Sequence, residues 1–386
     1  MPPLRIILSE ERTDRTMKEL KKSGKTRRTA RRDSANSGLA AVAALAKVSI
    51  ATVSRALNQV STVDPKLKKR VLKAANEVGY VPNTQARALV SGRSYLLGIL
   101  ISDITNPFFP ELIDGFEKKA VELGYEVLIG SADDDFRQID SCVQRMLQRK
   151  VDGVAIMTFG MEEPLIERLA AKGIPMTFID EAPSETSAIS IKIDYDAGIN
   201  EAVQHLAVLG HRRIAFISGS SSIHSARERR TSFLRATKSI GLIPAPTHLV
   251  ESDHTVEGGI RATEGLLSSA ERPTAIVCSN DLTALGVMHA AFANGLRIPD
   301  DLSLIGFDDI SISRHLLPPL TTVHLSRTEL ASVAIESLRD RIEGRLRPSR
   351  QMGPIVTKLV VRQSTAVPLG SLADLPGVNR LNPSRR

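Results

Sequence analysis

Ile50, Ala51, Ser54 and Arg55 lie in one short run, Val48-Ser49-Ile50-Ala51-Thr52-Val53-Ser54-Arg55-Ala56-Leu57-Asn58. Their spacing sets them apart from Val53, Ala56 and Leu57, which recur at i, i+3 and i+4 and predict the inner face of a helix packed on a small core. Ser49 stands where its hydroxyl can accept from a free backbone N–H of the first turn. The outer set combines short apolar and hydroxyl groups with one guanidinium. Such a surface can lie in a DNA major groove, where apolar groups meet thymine methyls and an arginine reads guanine O6 and N7. The same pattern also fits an ordinary amphipathic helix with a solvated face, so the flanking sequence has to decide.

Ahead of this run, Leu39 to Ala46 forms a short alanine-rich segment with Val42, Leu45 and Ala46 on one side, and Lys47-Val48 connects it to Ser49. Two helices joined by so short a turn make a helix-turn-helix arrangement. A third helix follows, with Asp64 as its cap, Pro65 at its first position and Gly79 at its end. Leu67, Val71, Ala74, Ala75 and Val78 form its buried stripe, and Lys66, Lys68, Lys69, Arg70 and Lys73 crowd the other faces, where phosphates could meet them. Asn83 to Val90 fits one more small helix or a linker.

From Tyr95 onward short apolar runs alternate with helical patterns. The expected strands are Leu97–Ile101, Glu126–Ile129, Gly153–Met157, Met176–Ile179, Ile214–Ile217, Ala275–Val277 and Leu302–Ile305. Between them lie helical stretches such as 110–123, 140–149 and 197–209. This alternation implies parallel sheets covered on both faces, and the length favours two α/β lobes over one sheet. Ligands of open α/β sheets sit beyond the carboxyl ends of the strands.

Residues 38 to about 368 resemble the lactose-repressor (LacI) family of bacterial transcription regulators. The resemblance rests on the run from Val48 to Asn58 and on Gly79-Tyr80-Val81-Pro82-Asn83, Asn106-Pro107-Phe108-Phe109, Val151-Asp152-Gly153, Leu209-Gly210-His211-Arg212-Arg213-Ile214-Ala215, Asn280-Asp281 and Gly306-Phe307-Asp308-Asp309, in this order and spacing. The resemblance implies an N-terminal all-helical helix-turn-helix domain over 38–82 and a hinge over 83–94. It implies a two-lobed core over 95–368, like that of periplasmic sugar-binding proteins, and a tail over 369–386. It implies a sequence-specific regulator, with repression the expected mode, that binds a pseudo-palindromic operator as a homodimer and answers to a sugar-like metabolite. Ile50, Ala51 and Arg55 are expected at base edges, and Ser49, Thr52, Ser54 and Asn58 at phosphates. Leu89 corresponds to a leucine that wedges into the minor groove, a role a plain linker would not need.

In the core, Phe108 and Phe109 match an aromatic pair that lines the effector pocket, Arg229 an arginine that reaches the effector, and Asp308 an aspartate that accepts from sugar hydroxyls. The two aromatics could also plug the base of a lobe, and Arg229 and Asp308 could pair with each other. His254 stands where many relatives carry an aromatic wall. Asn280-Asp281 is expected to hold loop backbone. Other departures are Lys47 for the usual turn glycine, Tyr195 for a common asparagine, and Leu325-Ser326 for a frequent Gln-Pro.

Composition is consistent with this division. Residues 1–93 hold 20 Lys and Arg against 7 Asp and Glu, while the rest of the chain holds 31 against 36. A basic front on a mildly acidic body suits an anionic polymer partner. Residues 1–37 are expected to be disordered, as a basic arm or as the product of a start assigned too far upstream, with Met17 as one internal candidate. Two cysteines, Cys142 and Cys278, suit a reducing cytoplasm, and neither a signal peptide nor a membrane span is expected. No enzyme, metal or cofactor is expected. Gly24-Lys25-Thr26 lacks the upstream glycine of a phosphate loop, Gly-x-Gly-x-x-Gly and Gly-x-Ser-x-Gly are absent, and His205 and His211 suit structural roles. The tail lacks leucine heptads, so a tetramer has no coil to rest on.

Overall fold

A computed structural model describes residues 38–57, 63–80, 92–132, 135–158, 163–180, 188–269, 271–345 and 353–369. Among the described residues, those up to Ser94 and those from Tyr95 onward form two compact units.

The first unit contains α1 (Gly38–Ala46), α2 (Ile50–Leu57) and α3 (Pro65–Val78). The bend between α1 and α2 is 97°. Val42, Ala43, Ala46, Val53, Ala56, Val71, Ala74 and Ala75 are buried together as a core built largely of alanine, which lets short helices approach closely. Lys47 takes the left-handed φ of 50° that glycine would adopt without strain. The ends of α3 follow from its sequence. Asp64 Oδ1 accepts from the N–H of Lys66 and of Leu67 at 2.9 and 3.1 Å, Pro65 opens the first turn, and Gly79 closes the helix at φ 64°.

Two expected core positions are corrected. Leu45 is 49% exposed, because its direction on α1 lies well off the Val42–Ala46 line and Ala43 fills the inner face instead. Val78, 39% exposed, is the last residue of its helix, where the small core no longer covers it. Asn58, Leu89 and residues 1–37 lie outside the described residues.

The second unit has two lobes. The first lobe holds β1 (Leu96–Ile101), β2 (Glu126–Ser131), β3 (Gly153–Met157), β4 (Met176–Ile179) and β5 (Ile189–Ile191), in the order β2-β1-β3-β4-β5 and all parallel. Its helices are α4 (Phe108–Glu122), α5 (Phe136–Arg149) and α6 (Glu163–Ala171). The chain then crosses through β6 (Ile193–Asp194) into the second lobe. There α7 (Tyr195–Val208), β7 (Ile214–Ser218), α8 (His224–Ser239), β8 (Leu249–Glu251), α9 (Val256–Leu267), β9 (Ala275–Cys278), α10 (Asp281–Ala293), β10 (Ser303–Asp308) and β11 (Thr321–His324) follow in turn.

A second crossing at Leu325-Ser326 leads into α11 (Arg327–Ile342), which packs back on α4, β3 and β4. A third returns through β12 (Ile355–Val356), which pairs in parallel with β6, to β13 (Lys358–Val360). The second sheet runs β13-β11-β10-β9-β7-β8, parallel except where β13 meets β11. The lobes are therefore joined by three crossings, two of them hydrogen-bonded to each other. The strands are apolar in near-continuous runs because helices cover both faces: every residue of β7, β9 and β10 is buried.

Two boundaries differ from expectation and move site residues. The strand expected over Leu302–Ile305 is β10, Ser303–Asp308, so Asp308 is the end of a strand and not part of a following loop. Arg227 and Arg229 lie inside α8, although the run Ala226-Arg227-Glu228-Arg229 reads from the sequence as the stretch just before an amphipathic helix.

Among the described residues no single helix is long and apolar enough to cross a membrane. The bent pair α1 and α2 passes by length and composition together, but its apolar faces are buried in the three-helix core.

Candidate functional site in the cleft and on helix α2

The outer face of α2 presents Ile50, 44% exposed, with Ala51 and Arg55 exposed and Ser54 half-buried, while Val53 and Ala56 are buried beneath. Ser49 caps the helix: its Oγ accepts from the Thr52 N–H at 3.1 Å and shares a hydrogen bond with Thr52 Oγ1 at 2.8 Å. The capping bonds fix where the exposed face of the helix begins. Leu57, expected on the inner face, is half-buried at the edge of the core.

In the second unit a cavity of about 570 Å³ opens beyond the carboxyl ends of the strands. Ser102 and Asp103 enter it after β1, Thr158 after β3, Asp180 after β4, Asn280 after β9, and Asp308 from the end of β10. The five expected residues Phe108, Phe109, Arg229, His254 and Asp308 all line this cavity. Phe108 and Phe109 open α4 and meet edge to face at 5.5 Å, both largely buried. They serve at once as core of the lobe and as wall of the cleft.

Arg229 projects from α8 and is buried. Its Nη2 lies 3.4 Å from Asp308 Oδ1, its Nη1 donates to the Ser279 carbonyl, and its guanidinium lies over the rings of Phe307 at 3.9 Å and Tyr195 at 5.2 Å. The two alternatives for this pair therefore coexist, since Arg229 and Asp308 are partners and both border the cavity. Burial pushes the Asp308 carboxyl up to about 6, against the opposing pull of Arg229 and Arg327. Behind it Arg327 donates to the carbonyls of Asp308 and Asp309 and pairs with Glu111 of α4 at 2.9 Å, bracing one lobe against the other.

His254 sits at a left-handed φ of 64°, with Nε2 sharing a hydrogen bond with Ser279 Oγ at 2.8 Å. Its ring rests directly on Gly219, where a Cβ would fall 2.2 Å from it. Burial first, and the Arg229 guanidinium second, lower its pKa to about 3. The unfolded chain binds a proton near 6.5 and the folded chain does not, so the stability from this neutral ring is full above about 6.5 and is lost as pH falls toward 3. Wild type should accordingly lose more of its urea midpoint between pH 7.5 and pH 5 than His254→Asn does. Equal losses would show that the ring is not held neutral. Buried Asp281, raised to about 7, and Asp308 contribute in the opposite sense, but to both proteins.

Asn280 and Asp281 hold backbone as expected. Asn280 Oδ1 accepts from Thr283 N–H, capping α10, and its Nδ2 donates to the His254 carbonyl at 2.9 Å. Asp281 accepts from the Ile310 N–H at 2.9 Å and from the hydroxyls of Ser313 and Thr322.

Asp180, Tyr195 and His224 join the cleft without having been named as ligand residues. Asp180 Oδ1 lies 3.8 Å from His224 Nε2, and burial together with Asp180 pushes the Tyr195 phenol well above its ordinary value. Asp180 directly follows β4, so the carboxyl-end rule applied strand by strand would have found it. Asp180, His254 and Asp308 all take positive φ, at 89°, 64° and 104°, a concentration of strained backbone of the kind held at binding sites.

A family profile described as bacterial regulatory proteins, lacI family, matches residues 39–83, and one described as a periplasmic binding protein-like domain matches residues 203–365. Catabolite control protein A of Priestia megaterium is 36% identical over 293 residues, covering 75% of this chain and 88% of that protein. The HTH-type transcriptional repressor PurR of Photobacterium profundum is 31% identical over 320 residues, covering 82% and 95%. Among solved structures, the lac repressor dimer bound to operator and the anti-inducer ONPF matches with a TM-score of 0.70 at 28% identity, over 84% of this chain and 98% of that one.

Proposed function

The chain belongs to the LacI family of bacterial transcription regulators, and from that premise we propose that two copies grip an inverted-repeat operator while a small, sugar-like metabolite in the cleft sets the strength of the grip. The protein is a regulator and not an enzyme, as its relatives are, and the proposed mode is repression in the cytoplasm. The observation that carries the DNA reading is the exposed Ile50, Ala51 and Arg55 face of α2 over a buried Val53 and Ala56, started by the Ser49 cap. In this reading Ile50 and Ala51 pack on thymine methyls and Arg55 bonds guanine O6 and N7. Ser49, Thr52, Ser54 and Asn58 hold the register at phosphates. The effector is proposed to lie among Phe108, Phe109, Arg229, His254 and Asp308. Twofold symmetry of the protein then imposes an inverted repeat on the site.

Selection of tight binders from a random duplex library tests this, and an enriched inverted repeat is the expected result. On that repeat Arg55→Ala should flatten the preference at one base pair per half-site, by about 1–3 kcal/mol per contacted base. An unchanged ranking of operator variants would remove Arg55 from the base edges.

Leu89 is proposed as a minor-groove wedge on family grounds. Leu89→Ala should then weaken binding to the selected repeat by more than binding to random duplex, as read by titration against both. Equal weakening would leave it a linker residue.

A further inference from the structure

We propose that the cleft admits an uncharged, hydroxyl-rich ring and rejects anionic ligands, phosphorylated sugars and sugar acids among them. This rests on reading the cleft as the effector site. Five carboxylates line it: Asp103, Asp180, Asp253, Glu257 and Asp308. Among the described residues no lysine does, and the cationic side chains that line it are Arg229 and, where protonated, His224 and His254.

Most of their donors are already committed, the buried Arg229 Nε being the exception. The Arg229 guanidinium bonds the Ser279 carbonyl, faces Asp308 at 3.4 Å and is flanked by the Phe307 and Tyr195 rings. His254 is buried with its Nε2 on Ser279 Oγ and is held neutral. His224 sits 3.8 Å from Asp180, in the first turn of α8, where the helix dipole opposes a positive charge.

Helix N-termini commonly attract anions, and several point at this cleft, but most are occupied by side chains of the protein. Asn106 Oδ1 accepts from the Phe108 N–H at 3.1 Å, Thr255 Oγ1 from Gly258, and Asn280 Oδ1 from Thr283. A phosphate or carboxylate entering here would find like charges and few free donors. A hydroxyl group finds acceptors, because ionised carboxylates accept and cannot donate. The Phe108–Phe109 pair offers an apolar wall to the C–H face of a ring, and about 570 Å³ is enough for a monosaccharide or a nucleoside.

The test uses the full chain and matched probes at equal concentration: D-glucose, glucose 6-phosphate and gluconate; D-ribose and ribose 5-phosphate; adenosine and adenosine 5′-monophosphate. Stabilisation in a thermal-shift screen, followed by calorimetric titration, should appear with an uncharged member and be at least tenfold weaker in affinity with its anionic partner. The double variant Asp103→Asn, Asp180→Asn should narrow that ratio. An anionic member that binds as tightly as its uncharged partner overturns the proposal, and so does a panel in which no uncharged member binds. If an anion binds and Asp308→Asn abolishes its binding, the charge rule fails but the cleft remains the ligand site. If an uncharged probe binds with affinity that Asp308→Asn leaves unchanged, the reading of the cleft itself fails.

Discussion

Replacing Arg229 with alanine is expected to cost the second unit about 3 kcal/mol of stability at pH 8, the lower end of what removal of one partner from a buried ion pair produces. Both side chains of the pair are almost wholly buried, so solvent does little to screen their attraction. The variant leaves Asp308 without the guanidinium that opposes the effect of burial, and its carboxyl then rises further above about 6. A carboxyl raised by folding contributes stability that is present at low pH and lost as pH climbs through its folded value. The deficit of Arg229→Ala should therefore be largest at pH 8 and shrink toward pH 5, where Asp308 carries a proton in both proteins. Lost packing of the guanidinium on Phe307 and Tyr195 persists at every pH. Urea titrations at the two pH values measure the difference. A deficit that does not change with pH would mean that packing alone, and not charge, holds Arg229 in place.

Asp308→Asn is expected to uncouple DNA binding from the metabolite. Asparagine keeps a carbonyl acceptor for Arg229 and tolerates the positive backbone φ of 104° better than alanine would, so the fold should survive. It removes the carboxylate that is proposed to accept from ligand hydroxyls. Loss of one charged hydrogen bond is worth about 1.5–3 kcal/mol, or roughly tenfold to a hundredfold in ligand affinity. Operator affinity without ligand should stay at the wild-type level, because the three-helix unit that carries α2 is untouched. A variant that still responds at the wild-type ligand concentration would place the effector elsewhere.

Local signals in the chain account for much of this architecture. The caps of α2 and α3 follow from Ser49, Asp64, Pro65 and Gly79, and each makes the contact or takes the backbone form its type predicts. Strands such as Gly153–Met157 and Met176–Ile179 stand out as apolar runs because both of their faces are covered.

The start of α8 was hidden for the opposite reason. Its inner face carries Ser225, Arg229 and Ser232 along with Ala226 and Phe233, so the buried side of its first turns is polar and shows no apolar stripe. The end of β10 was hidden because Gly306-Phe307-Asp308 reads as a turn, while in the fold these residues pair with Thr322, Val323 and His324 of β11. The β6–β12 pair was out of reach, since each strand has two residues and Ile193 meets Ile355 across most of the core. The same non-local placement explains the cleft. Asp180 and His224 come from different lobes, and only the folded chain brings them within 3.8 Å.

In the proposed mechanism, occupancy of the cleft and grip on DNA are energetically linked. The most direct test measures that link from both sides. Affinity for the selected inverted repeat is determined with and without the stabilising ligand, and affinity for the ligand is determined with and without the repeat. Both affinities should change by the same factor, typically about 5- to 150-fold for couplings of 1–3 kcal/mol. An operator affinity that stays constant while the cleft is saturated would contradict it.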